Sequence, residues 1–380
     1  MKQLYADHAA TTPVHPQVVQ VMTDILTDHF GNASSIHAVG RRSRQFLDEA
    51  RTSIAKSIGA HFNEIIFTSG GTEANNLAIA GVVEAMKQKG NHIITTKIEH
   101  HAVLHPCEEL VKRGFNVTFL DVDESGRISM DDFEQALTDD TILVTIMFAN
   151  NEVGSIQPVY EIGNRLKSHQ AYFHTDAVQA FGYEDVNVQE IGADLLSVSA
   201  HKINGPKGVG FLYVKKGTLL SPHLLGGEQE RKRRAGTENI ASIAALAKAT
   251  ELAQTGRKKK REELLEIRNN LLGRLDERGV MYRINGSLEH GLPHVLNLSI
   301  FGVDVEAMLV NLDMAGIAVS SGSACTAGSI EPSHVLVAMF GQGDERLRNS
   351  IRISFGRGNT IEDAHKIADE LAKIVKRLVH

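Results

Sequence analysis

Cysteine is scarce in this chain: its 380 residues hold only Cys107 and Cys325. Two cysteines so far apart exclude a disulfide framework and a cysteine-rich zinc site, and they fit a reducing compartment. No apolar run reaches the roughly 20 residues that a membrane-spanning helix needs. The N-terminus lacks the charged-then-apolar pattern of a signal peptide. Instead, the segment Asp7-His8-Ala9-Ala10-Thr11-Thr12-Pro13 begins almost at once. A soluble, cytoplasmic protein with no membrane role is the expectation. Basic charge is not in excess either: 40 Lys and Arg face 46 Asp and Glu, a net −6. Nothing in that balance calls for nucleic acid as a direct ligand. One local exception, Arg257-Lys258-Lys259-Lys260-Arg261, reads as a solvated helix start, with an acidic docking partner as the alternative. Internal repeats, low-complexity tracts and long linkers are also lacking.

What is present is apolar material, 42% of the residues, enough for a sizeable core and for more than one domain. Short β-branched runs at 64–68, 92–96, 116–120, 142–148, 171–175, 194–198 and 209–214 read as strands. Helical patterns at 72–87, 101–112 and 159–168 lie between several of them. Such alternation predicts an α/β fold, a mainly parallel sheet covered on both faces. From about residue 257 the texture changes to a long charged helix at 258–278, strands at 295–299 and 351–355, and a last helix at 361–378. We read a large domain over 15–258 and a smaller α+β domain made of 1–14 and 259–380.

Several segments could carry chemistry. Ser199-Ala200-His201-Lys202-Ile203-Asn204-Gly205-Pro206-Lys207-Gly208 follows an apolar strand, where a parallel sheet opens onto ligands. A lysine there can form a Schiff base with an aldehyde cofactor, and Ser199 and His201 can bind a phosphate; an ordinary surface loop is the plain alternative. Asp176 ends the strand at 171–175. A carboxylate in that place is often only a helix cap. Pyridoxal phosphate, however, needs an acidic partner for its ring nitrogen besides a lysine, so the pair says more than either residue. Gln179, three positions on, could donate to the ring oxygen.

Thr68-Ser69-Gly70-Gly71-Thr72-Glu73-Ala74-Asn75-Asn76 opens a helix with glycines, a setting in which free amides bind phosphate. It lacks the Gly-Lys-Ser/Thr of a nucleotide P-loop. His100 lies just beyond a strand and could stack on a cofactor ring. Glu99, His100, His101 and His105 hint at a metal, but only His101 and His105 share a helix face, so no metal is expected. Finally, Ser320-Ser321-Gly322-Ser323-Ala324-Cys325-Thr326-Ala327-Gly328-Ser329 is almost all small residues. A cysteine centred in such a loop is poorly explained as core packing and well explained as a nucleophile on a moving arm. Cys107 reads as a small residue on a helix.

Taken together, these motifs resemble the NifS/IscS family of cysteine desulfurases, fold-type I pyridoxal phosphate enzymes. The likeness runs from Asp7-His8-Ala9-Ala10-Thr11-Thr12 to Arg352-Ile353-Ser354-Phe355-Gly356-Arg357. The long cysteine loop, with Glu331-Pro332-Ser333 after it, is similar to that of the family's first group. The resemblance implies that Lys202 holds pyridoxal 5'-phosphate, His100 stacks on it and Asp176 pairs with its nitrogen. Gln179 and Asn151 would flank the ring oxygen and substrate, while Gly71, Thr72, Ser199 and His201 take the phosphate. Thr237 matches a threonine that reaches the neighbouring subunit's phosphate, which implies a homodimer. Arg352 matches the grip on the substrate carboxylate, with Arg357 second, and Asn32 lies in a matching substrate loop. Cys325 would take sulfur from L-cysteine as a persulfide, release alanine, and pass the sulfur to an iron–sulfur scaffold or a tRNA thiolation enzyme. Ala33 and Ala149 stand where the family more often has proline and valine. The competing readings are another fold-type I enzyme, such as an aminotransferase, selenocysteine lyase or β-eliminating lyase, and a catalytically idle scaffold.

Overall fold

The computed structural model describes residues 3–321, 325–326, 329–330 and 332–379, without the side chains of residues 325, 326, 329, 330 and 379. After the short β1 (Leu4–Tyr5), two helices not expected from the sequence, α1 (Pro16–Asp28) and α2 (Ala38–Ser57), precede the main sheet. The sheet consists of β2 (Ile65–Thr68), β3 (His92–Thr96), β4 (Asn116–Leu120), β5 (Thr141–Thr145), β6 (Tyr172–Asp176), β7 (Leu195–Ser199) and β8 (Gly210–Val214). Every expected strand of this region is therefore present, with residues 146–148 lying beyond the end of β5. Strands β2, β3, β5, β7 and β8 are buried at every residue. A sheet covered on both faces demands this, and it explains why apolar residues point to both faces of these strands rather than to one.

The strand order is β2-β8-β7-β6-β5-β3-β4. Pairings from β7 through β4 are parallel, while β8 runs antiparallel to both β2 and β7. The reversal has a simple cause: the short 200–209 connection is no crossover helix, and only antiparallel neighbours can be joined so directly. Strand β2 is thereby parallel to β7, so the C-terminal ends of β2, β3, β5, β6 and β7 share one edge. On one face lies α3 (Gly71–Met86), which buries Leu77, Ala78, Ile79, Val82, Val83 and Met86. Beside it, α4 (His101–Lys112) buries Val103, Cys107 and Leu110 in the same cluster. On the other, Ile54 and Ile58 from the α2 region join Phe181, Phe211 and Leu246 in the principal core.

A second sheet is antiparallel, in the order β14 (Ser350–Ser354), β10 (Val295–Ile300), β9 (Tyr282–Asn285). Strands β10 and β14 are wholly buried, and the helices Arg257–Glu277 and Ile361–Val379 pack together beside them. Strand β1 pairs in parallel with β11 (Ile317–Ala318), and β12 (Cys325–Thr326) pairs antiparallel with β13 (Ser329–Ile330). The first residues also bridge the two sheets. His8 donates its amide to Ser354 at 3.1 Å, and Thr12 donates its amide to His201 at 3.0 Å. That crossing brings the second sheet to the edge where the large sheet's strands end.

The basic run at the start of Arg257–Glu277 departs from expectation. Lys258 and Lys259 are exposed, but Arg257 pairs with Asp185 at 2.9 Å, Arg261 pairs with Glu184, and the Lys260 amine lies 3.8 Å from the Tyr183 ring. A solvated helix start describes only part of the run, because acidic and aromatic partners at 183–185 draw the other side chains inward.

Candidate active site

A cavity of about 360 Å³ opens at the shared strand edge. Strand β6 ends in Asp176, β7 ends in Ser199, and the 3-10 turn Ala200–Lys202 carries the lysine inward. Strand β2 leads into Gly70 and α3, β3 leads to His100, and the turn after β5 supplies Asn151. Arg352 arrives from the middle of β14. Gly71, Thr72, His100, Asn151, Asp176, Gln179, Ser199, His201, Lys202 and Arg352 all line this one space. Ten residues singled out from the sequence are thus brought together.

The details have chemical consequences. Lys202 Nζ donates to the carbonyls of Ala9 at 2.5 Å and Ala10 at 2.8 Å. Burial, with the charge of Arg352 second, lowers this amine to about 8, so a usable fraction is neutral near physiological pH. The Asp176 carboxylate is held by the Asn75 amide at 2.6 Å and the Val178 backbone N–H at 2.9 Å. Gln179 donates to Ala9 O at 2.9 Å. His100 caps α4, its Nδ1 accepting from the Ala102 amide at 3.0 Å, which leaves Nε2 for other partners. Burial lowers its pKa, and burial lowers that of His201 to about 4. Both rings are therefore neutral; with Nδ1 of His100 accepting, its proton sits on Nε2, which can donate to a further partner.

The first turn of α3 carries no side-chain cap, so its leading amides have no partner from a capping residue. Gly70 stands at φ 151°, and a Cβ at Gly71 would meet Val178 Cγ2 at 2.8 Å. Glycine is needed at both places: one for its backbone conformation, the other for close packing against the segment after Asp176. Uncapped amides, Ser199 and His201 form a cup suited to a phosphate. With a depressed lysine and an oriented carboxylate across the same cavity, the donor set fits pyridoxal phosphate.

Other residues stand apart. Asn32 is exposed, its Oδ1 accepting from the Ser34 amide at 2.8 Å, and Thr237 is exposed as well; neither lines the cavity. Arg357 faces a separate cavity of about 560 Å³ with Lys260 and Asn359, which leaves Arg352 as the arginine of the site. The side chain of Cys325 lies outside the described residues. Cys107 is buried, with its thiol pushed up to about 12, and acts as packing. That Asn75 holds Asp176 was not foreseen, although its place one turn after Gly71 puts it on the same helix face. Also unforeseen was Asp7, which pairs with Arg352 at 2.8 Å. Beyond the cavity, His101 packs ring to ring on His105 and on His334, at 4.9 and 4.7 Å.

Comparison with known proteins shows the family. Residues 4–367 match the aminotransferase class-V family. "Putative cysteine desulfurase IscS 1" of Bacillus subtilis (strain 168) is 59% identical over 378 residues, covering all of both chains. The chain belongs to the cysteine desulfurases of that family. "Cysteine desulfurase IscS" of Dictyoglomus turgidum is 49% identical, over 99% of this chain and 95% of that one. A solved "NIFS-LIKE PROTEIN" superposes with a TM-score of 0.92 at 34% identity, covering 99% and 100% of the two chains. As a cysteine desulfurase the protein is a pyridoxal-phosphate-dependent enzyme, and its fold is the α/β fold of type I pyridoxal enzymes. No helix among the described residues is long and apolar enough to cross a membrane.

Proposed function

We propose that this enzyme takes sulfur from free L-cysteine onto Cys325 and passes it to a protein acceptor, with the pocket residues in the following roles. Lys202 binds the cofactor aldehyde and later removes the substrate Cα proton, a task suited to an amine lowered to about 8. Asp176, oriented by Asn75, keeps the ring nitrogen protonated. The amides of Gly71 and Thr72, with Ser199 and His201, take the phosphate; His100 stacks on the ring, and Gln179 and Asn151 flank it. When bound, the cofactor supplies an electron sink that makes the Cα proton removable. The observation that carries this reading is the convergence of Lys202, Asp176, His100 and the uncapped helix on one cavity with Arg352.

Arg352 exchanges Asp7 for the substrate carboxylate, which its planar fork can hold through two hydrogen bonds. Asn32 assists from its loop. Cys325, as thiolate, forms a bond to the substrate sulfur while the Cβ–S bond breaks, its electrons remaining on the carbon side. A persulfide on Cys325 and alanine result. A thiol with an ordinary pKa of roughly 8.5 is only a few per cent ionised at neutral pH, so it needs activation, and in this reading His100 moves protons to or from the thiols.

The functional unit is a homodimer in this reading, with Thr237 reaching the second subunit's phosphate. Exposed apolar side chains support it: Phe30 is 79% exposed, Ile36 90% and Leu225 84%. Residues 15–258 form the cofactor domain, and 1–14 with 259–380 the smaller domain that carries the cysteine loop. The sulfur acceptor is an iron–sulfur scaffold or a tRNA thiolation enzyme, in the cytoplasm. To test the core of this, the loaded enzyme is incubated with L-cysteine and a reductant beside Cys325→Ala. Equal alanine and sulfide, lost in the variant while its cofactor absorbance persists, are expected. Pyruvate and ammonia would instead mean β-elimination.

A further inference from the structure

Glu152 has no part in the reaction described above, yet it is only 3% exposed and sits beside Asn151 at the cavity. Its backbone is fixed on both sides. Asn150 Oδ1 accepts from the Glu152 and Val153 amides at 2.8 and 3.0 Å, and Asn150 Nδ2 donates to Ile98 O at 2.9 Å. Asn297, the cross-strand partner of Arg352, donates to the Glu152 carbonyl at 3.2 Å. Arg352 Nη1 in turn donates to Asn151 O at 3.0 Å. The turn is therefore a rigid extension of the cavity wall.

The side chain of Glu152 points to a different part of the chain. Ser333 Oγ donates to Glu152 Oε2 at 2.5 Å and also accepts the Leu336 amide, capping the helix His334–Phe340. This helix packs Val335, Leu336 and Met339 against Ile98, Met147 and Val153. The His334 ring bonds the Glu99 carbonyl at 2.9 Å, next to His100. At the other root of the cysteine loop, Ser320 and Arg352 exchange backbone hydrogen bonds at 3.1 and 2.6 Å. One described root is thus tied to Arg352, which lines the cavity, and the other to Glu152 and Glu99, the chain neighbours of the lining residues Asn151 and His100. A buried carboxylate is a costly way to hold a serine: burial raises Glu152 to about 7, against the opposing pull of Ser333 and Arg352.

We infer that Glu152 is a positioning residue for the sulfur-transfer step: through Ser333 it fixes the chain leaving the cysteine loop to the turn that presents Asn151. The inference rests on the desulfurase reading, with Cys325 as the sulfur-accepting group. Glu152 acts on where the loop is rooted, so its loss slows transfer without weakening the hold on L-cysteine.

The test compares Glu152→Ala, Glu152→Gln, Ser333→Ala and the Ala–Ala double variant as loaded enzymes. Three quantities are followed: kcat for alanine, KM for L-cysteine, and the change of cofactor absorbance on adding L-cysteine. Glu152→Ala should lower kcat about tenfold, the scale of one lost hydrogen bond to a charged group. KM and the absorbance change should stay within about twofold. Glu152→Gln keeps an oxygen for the Ser333 hydroxyl and should recover most of kcat. Ser333→Ala, the milder change should Glu152→Ala fail to fold, should match the loss, and the double variant should be no worse than the poorer single. Unchanged kcat in Glu152→Ala and Ser333→Ala would overturn the inference. So would KM and absorbance falling in step with kcat, or losses that multiply in the double variant. Full turnover by Cys325→Ala would sink the desulfurase reading itself, an outcome separate from all of these.

Discussion

Lys202 and Lys260 share the properties by which a reactive amine is usually singled out. Both are largely withdrawn from water, both line a cavity, and burial lowers both to about 8. Their surroundings differ. Lys202 stands where five strand ends and an uncapped helix converge, facing Asp176, His100 and Arg352. Lys260 lies on the ring of Tyr183, which is itself stacked on His294 at 3.6 Å, and Arg357 and Asn359 share its cavity. A cation over an aromatic face is a stable arrangement that needs no substrate to explain it. A depressed lysine is therefore weak evidence of catalysis; it becomes strong when the groups a cofactor requires surround it.

The largest expected effect separates the two lysines directly. Lys202→Ala should abolish the cofactor's lysine-bound absorbance and lower alanine formation at least about a thousandfold, since it removes both anchor and base. Lys260→Met should leave turnover within about threefold. A comparable loss in both would break the contrast. The next effect lies at the substrate end of the pocket. Arg352→Lys keeps the charge but loses the fork, and KM for L-cysteine should rise about tenfold to a hundredfold with cofactor absorbance intact.

The smallest effect sharpens the comparison through stability. Unfolded lysine keeps its proton up to about 10.5, while folded Lys260 releases it near 8. Between those values the unfolded chain binds more protons, so this lysine makes stability rise with pH across pH 8 to 10.5. In the cofactor-free protein, the rise in urea midpoint over that window should be smaller in Lys260→Met than in the parent. An identical rise in the two would show that Lys260 is not desolvated.

Much of the pocket was legible in the sequence because its residues sit at strand ends, and strand ends are local signals. Asp176, Ser199, Lys202 and the Gly70–Gly71 turn each follow an apolar run, and the sheet's parallel logic then places them together. What escaped notice depends on distant pairing. Nothing local says that β1 lies beside β11, that Asp7 meets Arg352, or that Glu152 reaches Ser333. The buried half of the 257–261 run was missed for the same reason: its partners at 183–185 belong to another part of the chain. Cys325 was found by the composition of its loop, and the described side chains add no geometry to that reading.

The crossing of residues 4–12 between the two sheets bears on how the enzyme is made. This segment is made well before Gly316, Ala318 and Ser354, to which it hydrogen-bonds. The central sheet can assemble while translation continues, but the wall formed by Ala9, Ala10 and Arg352 must wait for them. Contacts of such long sequence separation form late and slowly. A nascent chain would therefore carry its lysine for a considerable time before it had a finished place to keep the cofactor.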